Sequence, residues 1–126
     1  MNILNWYLLM GILKLMVIPA WQGRVMTTSA SGDEGDSYGW INYRFINEGK
    51  VSSQFNPVGG EERFWLGPEG GPFSLYFKEG QEQVYDNWIV PPVLDTEAFD
   101  IKSQDNSSIR FVKDTRLTNA SGTAFD

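Results

Sequence analysis

The residues best suited to chemistry in this chain form one run, Gly59-Gly60-Glu61-Glu62-Arg63-Phe64-Trp65-Leu66-Gly67-Pro68-Glu69-Gly70-Gly71. Carboxylates and a guanidinium lie close in sequence to an indole, and glycines let backbone pass close to a ligand. Sugars are recognised by such a mixture. A planar aromatic face covers the apolar C–H face of the ring, while carboxylates and arginine bind the hydroxyls around its edge. Trp65 or Trp88 would supply the stacking face, Arg63 would recognise a hydroxyl or carboxylate, and Glu61 or Glu69 would accept hydrogen bonds. The same residues also describe a packed Gly/Pro turn, with Trp65 in the core and Arg63 paired to Glu61 or Glu69, because polar clusters are often structural ion pairs. The glycine spacing is not that of a phosphate loop, since no Lys-Ser/Thr follows and no helix pattern succeeds it.

A second group lies downstream in Asp86-Asn87-Trp88 and Asp95-Thr96-Glu97. Asp95 or Glu97 has the chemistry of a general acid or base, although turn roles account for both equally. Glu61 and Glu69 would serve glycosidase-like chemistry only at a carboxyl separation of about 5–9.5 Å, a distance that the fold must set. Asp33, Glu34 and Asp36, with Gly32 and Gly35, offer oxygen ligands to calcium but lack the EF-hand spacing and its terminal Glu, so they read as a solvated acidic loop. No metal site and no cofactor is expected. Asn106-Ser107-Ser108 and Asn119-Ala120-Ser121 match the glycosylation sequon, which has meaning only in a eukaryotic secretory setting.

Two absent residue types narrow the chemistry further. With no cysteine, disulfide scaffolds, thiolate nucleophiles, zinc fingers and iron–sulfur sites are excluded within this sequence, and the redox compartment cannot be read. With no histidine, Ser-His-Asp hydrolysis and the usual catalytic zinc sites are excluded too. Any acid–base chemistry must use Asp, Glu, Lys or Tyr. A formal charge of −6 with only 10 Lys and Arg, scattered along the chain, argues against a nucleic-acid surface. The length of 126 residues suits one domain better than two.

The elements that must position these residues read as strands and turns. Met1 to Ala20 carries Lys14 as its one charge and is otherwise rich in Leu, Ile, Met, Trp and Tyr. It lacks the basic start and small-residue cleavage site of a secretory signal, and Gly11, Lys14 and Pro19 interrupt any membrane span. Residues 1–11 read as an atypical apolar extension and residues 12–126 as a partial β-sandwich domain. Strands are expected at Ile12–Ile18, with Leu13, Leu15 and Val17 on one face, and at Gln22–Ser29. Trp40–Ile46 alternates Ile41, Tyr43 and Phe45 with Asn42 and Arg44, the period of a half-buried strand. Alternation resumes at Phe73–Phe77. Pro91-Pro92 favours an extended, non-helical segment. Phe99, Ile101 and Ser103, turned by Gln104–Ser107 and answered by Ile109, Phe111 and Lys113, make the clearest hairpin. Thr123-Ala124-Phe125 starts a further strand. The class is all-β, an antiparallel sandwich.

The run Asn56-Pro57-Val58-Gly59 through Gly71, with Gln22-Gly23-Arg24-Val25-Met26-Thr27 upstream and Asp95-Thr96-Glu97 downstream, closely resembles an uncharacterised bacterial family, a domain of unknown function. The resemblance runs from about Val17 to Asp126 and includes Gly39-Trp40-Ile41-Asn42-Tyr43 and Leu117 to Thr123. More distantly, Gly23-Arg24-Val25 followed by Gly59-Gly60 and an aromatic-acidic run is similar to the opening half of the galactose mutarotase-like supersandwich. That resemblance implies the N-terminal part of a large β-sandwich and a sugar on its concave face. It implies no catalytic residue, because the mutarotases' essential His has no counterpart here and their general-base Glu belongs to a later part of the fold. This chain alone is therefore not expected to catalyse. Periplasmic or secreted relatives and self-association through exposed sheet edges also follow from it.

Overall fold

The computed structural model describes residues 6–126 and opens on a three-stranded antiparallel sheet, β1 (Trp6–Met10), β2 (Leu13–Ile18) and β3 (Arg24–Ser29), in that order. Gly11 turns the first hairpin in the left-handed region. The stretch expected as an extension, residues 1–11, contributes β1 from Trp6 onward, paired along β2 from Trp6↔Val17 to Met10↔Leu13. Its first five residues lie outside the described ones. A register shift between Met16 and Val17 breaks strict alternation, and the neighbours Val17 and Ile18 are both buried. Gln22 and Gly23 have positive φ, so β3 begins two residues later than the sequence suggests.

The expected strand Trp40–Ile46 is corrected. Only Trp40–Ile41 is strand, β4, paired with β5 (Gly59–Gly60), and the chain then enters helix α1 (Tyr43–Glu48). Capping overrides the alternation. Asn42 Oδ1 accepts the Phe45 N–H at 3.1 Å, and Gly49 closes the other end in a left-handed conformation with its N–H on the Phe45 carbonyl. Arg44 and Glu48 pair one turn apart at 2.9 Å.

The expected strand Phe73–Phe77 is also corrected, to irregular backbone. Its carbonyls bond outside any ladder, Ser74 to the Ala120 N–H and Tyr76 to the Ile89 N–H. Pro91 is extended as expected, but Pro92 opens the short helix α2 (Pro92–Asp95), where its missing N–H costs nothing. The hairpin is found as expected, β6 (Asp100–Gln104) against β7 (Ile109–Val112). Asp105 in its turn accepts the Ser107 and Ser108 N–H groups, which draw its carboxyl down to about 2. β8 (Leu117–Thr118) and β9 (Ala124–Phe125) pair last. Asn119 between them is buried, and its Oδ1 accepts from Ser121 and Thr123.

The result is a β-rich fold of small antiparallel sheets with few helices. Tyr76, Phe77, Val90, Val93 and Leu94 form a core cluster, with Phe55, Trp65, Leu66, Trp88 and Phe99 packed against it. Irregular segments and α2 supply most of these side chains, which is why the candidate site residues, on the same segments, are held in place without belonging to a sheet.

Candidate functional site

The carboxylate of Glu61 is occupied by its own chain. Its oxygens accept the Thr28 N–H at 2.7 Å, the Thr28 hydroxyl at 2.5 Å, the Tyr38 N–H at 3.1 Å and the Ser37 hydroxyl at 3.2 Å. Burial pushes this carboxyl up, but the hydrogen bonds outweigh it and hold the group below its usual value. Glu61 thus fastens the motif to β3 and to the loop before β4. Because its pKa is depressed in the folded state, the stability it lends is complete above the ordinary value of 4.5 and is lost as pH falls through the folded value. Glu61→Gln is expected to cost about 1–2 kcal/mol near neutral pH, and urea unfolding near pH 7 and near pH 3 checks it. A deficit of the same size at both pH values would refute the assignment.

Arg63 points the other way, into the interior. Its Nη2 donates to the Leu94 carbonyl and lies 3.9 Å from Asp95 Oδ1, while its guanidinium sits 4.2 Å from the Trp65 ring centroid. Asp95, at 7% exposure, takes the Asn56 amide on Oδ2 at 2.6 Å. Burial raises the Asp95 carboxyl, against the lowering effects of Asn56, Arg63 and Arg24. Arg24 completes the group from β3, with Nη1 on the Gly59 carbonyl at 2.7 Å. Burial, reinforced by the charge of Arg63, brings Arg24 down to about 10.

The two indoles are packed rather than open. Trp65 donates its Nε1–H to Glu69 at 2.8 Å, meets Phe55 edge-on and lies 5.3 Å from the Tyr76 ring. Trp88 stacks on Tyr76 at 5.6 Å and on Tyr85 at 6.3 Å. Burial and the nearby Glu69 raise the Tyr76 phenol, which donates to the Leu66 carbonyl. One open space, of about 490 Å³, borders Arg63 away from these rings and is walled by Gln22, Glu62, Arg63, Arg110 and the aromatic rings of Phe64, Phe99 and Phe111.

Of the expected site residues, Arg63, Trp65 and Asp95 therefore meet, with Glu69 tied to Trp65 and Trp88 linked through Tyr76. Glu61 and Glu97 belong elsewhere. Glu97 pairs with Lys113 at 3.0 Å, while its carbonyl accepts from Gln22. The expectation that Arg63 pairs with Glu61 or Glu69 gives way to Asp95, because Arg63 turns toward the end of α2 while both glutamates already serve other donors. Two of the motif's glycines lie close against protein: a Cβ on Gly59 would stand 2.2 Å from the Trp40 carbonyl oxygen, and one on Gly60 would stand 2.9 Å from Arg24 Cδ. Gln22, Arg24 and Asn56 were not among the expected site residues. Arg24 carried a signal, an arginine sharing a strand face with Met26, and both are buried.

Among the described residues no three His, Cys, Asp or Glu side chains cluster in a way that could hold a metal, and no helix is long and apolar enough to cross a membrane. No curated protein and no solved structure matches the sequence. The model of a family of unknown function, DUF6786, matches residues 9–126 and so spans β2 to β9 and the interior cluster alike: the chain belongs to this family.

Proposed function

We propose that the chain is part of a carbohydrate-binding β-sandwich of the galactose mutarotase-like kind, from a bacterial family, and not catalytic by itself. The sugar occupies the cavity beside Arg63. The observation that carries this reading is the lining of that cavity: polar Arg63, Glu62, Arg110 and Gln22 stand against Phe64, Phe99 and Phe111, in a volume of about 490 Å³. Concave sites of a few hundred Å³ with aromatic walls and a few placed polar groups are the usual form of small-molecule sites. Phe64, 48% exposed, takes the stacking role first given to the indoles. Self-association through the edge of β1, whose strand neighbour among the described residues is β2, accompanies the reading.

A second reading is favoured by the packing of Trp65 and Trp88 against neighbouring rings: a structural or interaction module in which the Gly59–Gly71 run is a packed turn. Isothermal titration of the chain with D-galactose and D-glucose separates the two. The sugar reading expects saturable heat that Phe64→Ala weakens about 3–10-fold, the worth of one aromatic contact. Absence of heat, or an affinity that Phe64→Ala and Arg63→Gln both leave unchanged in folded protein, would favour the second.

A further inference from the structure

The interior beside the cavity holds more positive charge than the protein neutralises. Arg24 is 3% exposed, yet its Nε and Nη2 are buried without a hydrogen-bond partner, and Arg63 Nε is in the same state. Among the described residues Asp95 is the carboxylate whose charge acts on both guanidiniums, and its Oδ1, 3.9 Å from Arg63 Nη2, is also without a hydrogen bond. Buried donors and charges are normally satisfied, so an orphaned set of this size asks for a missing partner.

Gln22 adds an independent sign. It holds φ 61°, a left-handed conformation uncommon for a residue with a side chain, and is 3% exposed. Its Nε2 is anchored on the Glu97 carbonyl at 2.7 Å, while its Oε1 is buried and unpartnered. Gln22 and Arg63 both line the cavity, whereas Arg24 leaves β3 on the face opposite Gly23 and Val25, which also line it, and bonds the Gly59 carbonyl.

We propose that this cluster takes a carboxylate that enters from the cavity, with Arg63 as its donor, Gln22 Oε1 accepting a neighbouring hydroxyl, and the buried charge of Arg24 adding to the attraction without touching the ligand. Resting on the sugar reading above, the ligand class is an acidic sugar of the uronate type. One excess positive charge matches a monoanion, whereas a phosphate monoester would overshoot it. The planar fork of a guanidinium also fits a carboxylate edge. A bridging water could satisfy donors and acceptors together, but it would leave the charge uncompensated. The overall charge of −6 repels anions at long range, so selectivity for one must come from these buried cations.

The test is isothermal titration of the full chain with D-galacturonate, D-galactose and sodium acetate, ionic strength held constant. Galacturonate is expected to bind about 10-fold more tightly than galactose, and Arg63→Met to bring that ratio close to one. Acetate is expected to compete with galacturonate on the unmodified protein, a readout that does not depend on whether the variant folds. Equal affinity for galactose and galacturonate, without acetate competition, would overturn the carboxylate site and leave the sugar reading standing. Acetate binding with neither sugar bound would keep the carboxylate site and overturn the sugar reading. No heat from any of the three would overturn both.

Discussion

Asp95→Ala is expected to destabilise the protein by about 3–5 kcal/mol, the usual cost of removing one partner from a buried ion pair. Its side chain is 3% exposed beside a 21% exposed Arg63, and Arg24 is buried in the same cluster. Without the carboxylate, two guanidiniums and the Asn56 amide lose their shared partner. Against a total stability of about 5–15 kcal/mol, that loss is large enough to bring the native state near its threshold. The pair itself is a weak source of stability, since burial raises the Asp95 carboxyl despite both arginines. The folded state therefore holds this proton to higher pH than the unfolded chain does. The contribution of Asp95 falls as pH rises from 3.8 through the folded value, opposite in sense to Glu61. Urea unfolding at neutral pH checks the prediction, with the triple variant Arg24→Met/Arg63→Met/Asp95→Leu, which removes every charge of the cluster, expected to recover a substantial part of the loss. A single-variant cost under about 1 kcal/mol would show that water already carries the cluster.

Gly59→Ala is the second large effect, expected to cost about 3 kcal/mol or more. Gly59 has φ 89°, where a side chain brings roughly 1–3 kcal/mol of strain. The added carbon would also stand 2.2 Å from the Trp40 carbonyl oxygen, which is backbone and cannot swing aside. Overpacking of that kind adds about 1–3 kcal/mol. The damage reaches further than one strand pair, because the Gly59 carbonyl is the acceptor for Arg24 Nη1. Gly70 supplies the control from the same motif. A Cβ there would meet only Gln83 Oε1 at 3.7 Å, so Gly70→Ala is expected to be neutral or stabilising by up to about 1 kcal/mol. Thermal unfolding of the two variants side by side decides the matter, and similar midpoints would contradict the distinction between these glycines.

The strands legible in the sequence are those formed by local signals. β2 carries Leu13, Leu15 and Val17 at alternate positions, the hairpin β6–β7 carries Ile101, Ile109 and Phe111 on either side of a polar turn, and the structure keeps them within a residue or two of the expected bounds. Trp40–Ile46 failed because period-two alternation and a capped helical turn compete over so short a span, and the cap at Asn42 and the left-handed Gly49 won. Phe73–Phe77 failed for a different reason. Its apolar phase does not mark the buried side, since Phe73 is exposed while Ser74 and Tyr76 are buried, and its backbone bonds reach Ile89 and Ala120, partners that no local pattern names.

The candidate site divides along the same line. Residue types alone settled that histidine, thiol and phosphate-loop chemistry are absent, and singled out Arg63, Trp65, Glu69 and Asp95 as the groups to watch. Which of them face one another was decided only by the tertiary structure. Residues two apart in the Gly59–Gly71 run are sent to opposite neighbours, Glu61 outward to Thr28 and Tyr38, and Arg63 inward to Asp95 and Arg24. The physical reason is that a charge seeks its partner through space, and Asp95 and Arg24 come from segments 32 and 39 residues away in sequence from Arg63. Composition fixes how many charges must find partners; only the packed chain fixes which ones do, and which donors are left over.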